Sequence, residues 1–238
     1  MLAPDGEALV DKDKVEKRWG DAEGIASVNG DDPWQEGVFV SFEREHRVWK
    51  YPAGSNRTIS LLPEAPLPGI GDQDNEMTRA CTYNGGLEAL EMVRGKSGAG
   101  KAHGLLFMCE DVSQGAVEGS SNSFGAASAW IARGVSSSAG GGGGSSPVLS
   151  RLRYLVRDGI LPVAAASIPN GSGDILVLER DYVAGVGNTL RVRHIQGSSI
   201  EASEDSGCVM SGSLAGELNP RWHFTDNFEG MSVLPLQQ

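Results

Sequence analysis

The sequence has few residues that could crosslink a fold covalently or through a metal. Its 238 residues include only three cysteines, Cys81, Cys109 and Cys208. An odd and sparse set argues against a disulfide framework. No Cys-x-x-Cys pair or Cys/His cluster with zinc-binding spacing occurs. Cys109 ends the apolar run Leu105–Cys109, where we expect it to be a small buried hydrophobic residue.

Aromatic side chains, long apolar runs and positive charge are also scarce. Aromatic residues make up 6% of the chain, and 20 Lys and Arg face 31 Asp and Glu, for a net charge of −11. A chain this acidic has no general attraction for nucleic acid or an anionic membrane face. No apolar run approaches the roughly 20 residues of a transmembrane helix. No positively charged segment followed by an apolar run opens the chain, so no signal peptide is visible.

Glycine and short apolar runs are plentiful instead. The 33 glycines and a hydrophobic content of 39% favour many short strands joined by tight turns. Val38–Phe42 and Val48–Tyr51 flank a polar connection of hairpin length, which predicts a strand pair. We also expect Leu105–Cys109 to pair with Ala129–Ala132, and Ile175–Leu178 with Thr189–Ile195. Runs that are apolar throughout suit strands buried on both faces between stacked sheets.

One pattern returns along the chain: a segment of small and acidic residues, then an apolar strand that ends in Glu and a charged residue. The four copies begin at Asp21, Gly85, Val163 and Asn227, and the last stops after its first strand. Glu23, Glu88 and Glu229 hold the same place in their copies, and Val163 takes that place in the third. Repetition of this kind indicates an array of equivalent supersecondary units.

The predicted fold is therefore all-β and β-propeller-like, built from repeated antiparallel sheets in a single domain over residues 1–238. The segments around Ile25, Leu87, Ala165 and Met231 are the expected inner strands. Residues 136–147 form a flexible Gly/Ser-rich insertion in this interpretation. Whether the ring of sheets is complete stays open. One hypothesis is that Met1–Trp19 supplies outer strands to the sheet begun by Asn227–Val233.

Two motifs that resemble known catalytic sites do not fulfil their requirements. Gly95–Lys101 resembles a phosphate-binding loop, but Ala102 stands where a magnesium-binding hydroxyl is needed. We therefore expect no nucleotide cofactor. The same segment begins like a nucleophile elbow, but Ala99 replaces the second glycine.

Six segments resemble the phytase-like family, also described as esterase-like activity of phytase. They are Asp21–Gly24 with Val40–Tyr51, Gly85–Leu90, Leu176–Tyr182 with Gly187–Arg191, and Asp226–Gly230. The resemblance implies a propeller-like domain, often in secreted or periplasmic proteins, with phosphomonoesterase or esterase activity. The chain departs from the family pattern before Asp21, after Val233 and at Val163. We therefore expect a partial or shortened member.

The candidate site follows from the recurring acids, because a ring brings residues that are distant in sequence onto one axial surface. We predict Glu23, Glu43 and Arg44 as catalytic residues. Arg180, Glu179 and His46 are predicted to bind the substrate. A site for Ca²⁺, which prefers oxygen ligands, is predicted at Glu88, Glu110 and Glu229. Glu43, Glu110 and Glu179 are taken as equivalent residues that end the second strand of each copy.

Two functions remain open. The first is a monomeric hydrolase of small-molecule phosphate or carboxylic esters, with water positioned by a carboxylate and the ester held by metal and arginine. The second is a non-catalytic β-propeller that binds a partner or a glycan through its loops. In that alternative the Glu–Arg pairs serve only to tie neighbouring sheets together.

Overall fold

A computed structural model describes residues 21–28, 37–44, 46–51, 53, 81–82, 85–94, 104–112, 125–135, 147–169, 172–220 and 228–234. Its elements are β1 (Ala22–Ser27), β2 (Val38–Phe42), β3 (Arg47–Tyr51), β4 (Leu87–Val93), β5 (Gly104–Cys109), β6 (Gly125–Arg133), β7 (Val148–Val156), β8 (Leu161–Ser167), β9 (Ile175–Val183), β10 (Gly187–Ile195), α1 (Gly197–Ser206), β11 (Val209–Met210) and β12 (Ser213–Leu218). The predicted all-β class is confirmed. Residues 1–19, 95–101 and 136–146, about which the sequence suggested a ring closure, a loop and an insertion, lie outside the described residues.

The strands form three sheets, and the first strand of each sheet in sequence lies at an edge of that sheet. The first sheet has the order β1-β2-β3, the second β11-β7-β6-β5-β4 and the third β12-β10-β9-β8. All pairs are antiparallel except the short β11, which runs parallel to β7. The three strand pairs expected from the sequence, β2 with β3, β5 with β6 and β9 with β10, are confirmed.

The first strands of the three sheets lie side by side, β1 next to β4 and β4 next to β8. This arrangement of successive sheets around a common set of inner strands is propeller-like. Met231, in residues 228–234, packs against Val163, Leu178 and Leu190 of the third sheet. The fourth expected inner strand therefore lies next to the third sheet, but its prediction as a strand is wrong, because residues 228–234 form no strand.

Strands β4, β5 and β6 of the second sheet are buried on both faces. One face, with Leu90 and Phe107, packs against Phe39 of the first sheet. The other face, with Leu106 and Tyr154, packs against the third sheet. All six residues of β5 are buried, which explains why its sequence is apolar throughout instead of alternating.

Each inner strand carries a β-bulge at the position that the sequence pattern marks as equivalent. The register shifts between Ala22 and Ile25 in β1, between Leu87 and Ala89 in β4, and between Pro162 and Ala164 in β8. The extra residues include Glu23, Glu88 and Val163. A bulge bends a strand and redirects a side chain, and bulges are common beside functional sites. The shared bulge therefore gives these three positions the same local geometry.

Gly24 allows the first two inner strands to approach closely. A Cβ atom at this position would lie 2.6 Å from the carbonyl oxygen of Glu88 and 2.8 Å from Cβ of Leu90. The amide of Gly24 donates a hydrogen bond to Oγ of Ser41, 3.0 Å away. Any side chain at position 24 would push β1 away from β4, so the glycine determines how near Glu23 lies to Glu88.

The cysteines correct one expectation. Cys109 is buried, as predicted, but it forms a disulfide with Cys81, 28 residues earlier, and only Cys208 is a free thiol among the described residues. Sequence reasoning missed this single pair because it took the odd number of cysteines as an argument against disulfides. Disulfides persist in oxidising compartments, which agrees with the expectation of an exported protein, although the compartment stays a prediction.

Replacing Cys81 with Ala is expected to lower the free energy of unfolding by about 3–4 kcal/mol, because the disulfide closes a loop of about 30 residues in the unfolded chain. Urea unfolding measures the change. Cys208→Ala, at the exposed free thiol, is the matched control and should leave stability within about 0.5 kcal/mol. Equal stability of the two variants and the unmodified protein would show that the bond does not form.

Candidate functional site

A cleft of about 360 Å³ lies where the inner strands meet, and we call it the axial cleft. Its lining comprises Glu23–Ile25 of β1, Glu88 and Leu90 of β4, Ala164 and Ala165 of β8, and Glu229–Ser232. The structure thus brings together Glu23, Glu88 and Glu229, three acids from three parts of the sequence. Val163, the residue at the bulge of β8, is buried and adds no charge.

A second set of charged residues lies just beyond the second strand of the first two sheets. The amide of Glu43 donates to the carbonyl of Asp21 at 2.9 Å, and the amide of Glu110 donates to that of Gly86 at 3.0 Å. In the third sheet the corresponding place belongs to Arg180, which pairs with Leu161. Glu43, Glu110 and Arg180 are therefore the equivalent residues.

The expected equivalence of Glu179 with Glu43 and Glu110 is wrong by one residue. β9 does not end at Leu178 but continues to Val183, so Glu179 lies within the strand. Its side chain is fully buried and accepts hydrogen bonds from the hydroxyl of Tyr154 at 2.7 Å and from Nε of Arg193 at 2.8 Å. Glu179 has no exposed surface. Its predicted contact with the substrate stays a prediction.

His46 and Arg44 belong to the turn between β2 and β3. His46 is buried, and burial lowers the pKa of its imidazole, which favours the neutral form near pH 7. Arg44 has a left-handed backbone with φ of 61°. Its Nε lies 3.0 Å from Oδ2 of Asp21, so Arg44 offsets part of the local negative charge. Their predicted catalytic and substrate-binding roles remain predictions.

Glu88, Glu110, Arg180 and Glu229 form a continuous chain of contacts, and Glu88 and Glu229 line the cleft. Arg180 donates from Nη2 to Glu110 and from Nη1 to Glu229, each at 2.9 Å. Burial, the negative charges of Glu110 and Glu23, and a hydrogen bond to Glu110 raise the pKa of Glu88 well above its usual range. Glu88 therefore carries a proton near pH 7 and donates it in a hydrogen bond to Glu110.

Asp21, Glu23 and Glu43 form the second cluster of acids. Each offers one carboxylate oxygen, and these three oxygens lie within 4.8 Å of one another. Burial and then the charge of Asp21 raise the pKa of Glu43. Gly86 makes room for Glu43, since a Cβ at residue 86 would lie 2.8 Å from Cα of Glu43. Oxygen ligands at this spacing suit a hard divalent cation.

Sequence reasoning missed Asp21 as a candidate ligand and placed Arg180 one position from its true equivalents. Asp21 stands two residues before Glu23, so both belong to the same motif. The signal for Arg180 was weaker, because only the strand register shows that it is equivalent to Glu43 and Glu110. No helix in the described part of the chain is long and apolar enough to cross a membrane.

The fold and the cleft define an all-β, propeller-like protein with a cluster of paired acids and arginines on its axis. The family model for esterase-like activity of phytase matches residues 1–238, the whole chain. The protein therefore belongs to the phytase-like family, as the sequence resemblance indicated. Searches of the curated proteins and of the solved structures found no significant match.

The raised pKa of Glu88 predicts a loss of stability as the pH rises. The folded chain holds a proton on Glu88 that the unfolded chain releases near pH 4.5, so the free energy of unfolding falls as the pH rises above that value. Glu88→Gln removes this titration, and its amide still donates a hydrogen bond to Glu110. The melting temperature of the variant, relative to that of the unmodified protein, is therefore expected to rise between pH 5 and pH 9.

Melting curves across this pH range measure the difference between the two proteins. Glu201→Gln, on helix α1, removes one carboxyl outside the axial cleft and is the control. The interpretation fails if Glu88→Gln and the unmodified protein lose stability in parallel over the whole range.

Proposed function

We propose that the protein hydrolyses small-molecule esters, of phosphoric or carboxylic acids, at the axial cleft. Membership of the phytase-like family indicates a hydrolase of the phytase-like or esterase-like kind. The observation that carries the assignment to this cleft is the meeting of Glu23, Glu88 and Glu229 around one cavity, with Arg180 bonded to Glu229.

The two acids at the bulges of β1 and β4 take different roles in this proposal. Neighbouring acids whose environments separate their pKa values are a common acid–base arrangement. Glu88, which holds a proton, donates it to the oxygen of the leaving alcohol. Glu23 orients a water molecule and accepts its proton as the water adds to the carbonyl carbon or the phosphorus. Exchange with solvent then restores both carboxyl groups.

Arg180 supplies positive charge beside Glu229, which lines the cleft. Two of its donors are bonded to Glu110 and Glu229. Because Glu229 is the more exposed of these two acids, an anionic ester that reaches Arg180 replaces Glu229.

We assign Glu179 and His46 to support of the fold, since both are buried, and Arg44 to the charge balance of Asp21.

We propose Asp21, Glu43 and one carboxylate oxygen of Glu23 as the ligands of a Ca²⁺ ion, which leaves the other oxygen of Glu23 for the attacking water. They fit a hard cation better than the predicted set of Glu88, Glu110 and Glu229. Glu110 and Glu229 already share Arg180, and Glu88 holds a proton. A bound cation would neutralise charge at the cleft and polarise an ester oxygen.

Hydrolysis of p-nitrophenyl phosphate and p-nitrophenyl acetate, with Ca²⁺ or with EDTA, tests the proposal. Glu23→Gln and Glu88→Gln are each expected to lower kcat by about 100-fold or more, which is the usual contribution of a general acid or base. Glu201→Gln is the matched control and should retain full activity. Circular dichroism and melting curves confirm that each variant is folded.

The alternative is a non-catalytic propeller that binds a partner or a glycan, and the absence of an acid at Val163 favours it. Folded protein that hydrolyses neither substrate, and whose melting temperature does not respond to Ca²⁺, would contradict the hydrolase and leave this alternative.

A further inference from the structure

A second cleft, of about 370 Å³, lies against the same strand as the axial cleft, and we call it the apolar cleft. It is lined by residues 22–25 of β1, Val38 and Val40 of β2, and Tyr51 of β3. Glu23 is the one charged side chain among these residues. Residues 23–25 line both clefts, so the two cavities adjoin across β1.

Two observations distinguish the apolar cleft from an ordinary gap in packing. Ile25, an apolar residue of the lining, is 68% exposed to solvent. Tyr51 is 2% exposed, and its hydroxyl has no hydrogen-bond partner in the described part of the chain. Buried hydroxyl groups nearly always have a partner. An apolar cavity of a few hundred cubic ångströms with one polar group is typical of a small-ligand site.

We propose that the apolar cleft binds the alkyl or aryl group of an ester whose scissile bond lies beside Glu23 in the axial cleft. This inference rests on the proposed hydrolase function and narrows its substrate to esters with an apolar group. The lining offers a polyphosphorylated compound no compensating positive charge, whereas it removes methylene or ring carbons from water. The hydroxyl of Tyr51 provides a single hydrogen bond to a polar atom of the occupant.

A series of p-nitrophenyl esters from acetate to decanoate tests the substrate class. Each added methylene is expected to raise kcat/KM about threefold to fourfold until the cleft is filled. Val38→Trp, which places a large ring in the cleft, should abolish this dependence. Val148→Trp makes the same change at an exposed position of β7 and is the control. A chain-length dependence that is absent, or that persists in Val38→Trp, would overturn the proposal.

Binding of the uncharged fluorophore N-phenyl-1-naphthylamine gives a readout that does not require turnover. We expect the unmodified protein and Val148→Trp to bind it, and Val38→Trp to bind at least tenfold more weakly. Ile25→Asp, at a residue that is 68% exposed, should weaken binding in the same way if Val38→Trp does not fold. Binding without any hydrolysis would support the cleft and contradict the hydrolase. Hydrolysis without binding would contradict the cleft alone.

Discussion

Mutual repulsion among carboxyl groups is the constraint on which the axial end of this protein depends. Six acids, Asp21, Glu23, Glu43, Glu88, Glu110 and Glu229, lie at or beside one cleft. Two unit charges about 4 Å apart repel by about 1–4 kcal/mol near a protein surface. The structure offsets this repulsion with a proton on Glu88, with Arg180 between Glu110 and Glu229, and with Arg44 beside Asp21. Six acids against two arginines leave a net negative charge, which explains why a cation suits the remaining cluster.

The backbone brings these acids together through local features that are small but repeated. A bulge in β1 and another in β4 redirect Glu23 and Glu88, and Gly24 lets the two strands approach closely. The same bulge in β8 carries the buried Val163 in place of an acid. The third sheet instead contributes Arg180, so the sheet that lacks an acid supplies the positive charge. The differences between equivalent positions thus place an arginine next to the acids that line the cleft.

Much of the fold followed from the sequence because the predicted pairs join strands that follow one another in the chain. Continuous apolar runs such as β5 identified strands buried on both faces, and the recurring pattern identified the inner strands β1, β4 and β8 but wrongly predicted a fourth around Met231. The position of Glu179 did not follow, because the pattern Leu-Glu-Arg does not show where β9 ends. The disulfide did not follow either, since pairing of Cys81 with Cys109 depends on how sheet ends meet. The predicted catalytic and metal-binding roles remain predictions, because they depend on a substrate and an ion.

The central claim is that charged residues of separate sheets meet at one cleft, and a double-mutant cycle of Arg180 and Glu110 tests it most directly. The two residues are 70 positions apart in sequence. Urea unfolding of Arg180→Met, Glu110→Gln and the double variant is expected to give a coupling energy of about 1 kcal/mol or more. The same cycle with Glu201→Gln should be additive. Additive effects of Arg180→Met and Glu110→Gln, within about 0.3 kcal/mol, would contradict the convergence of the sheets on this cleft.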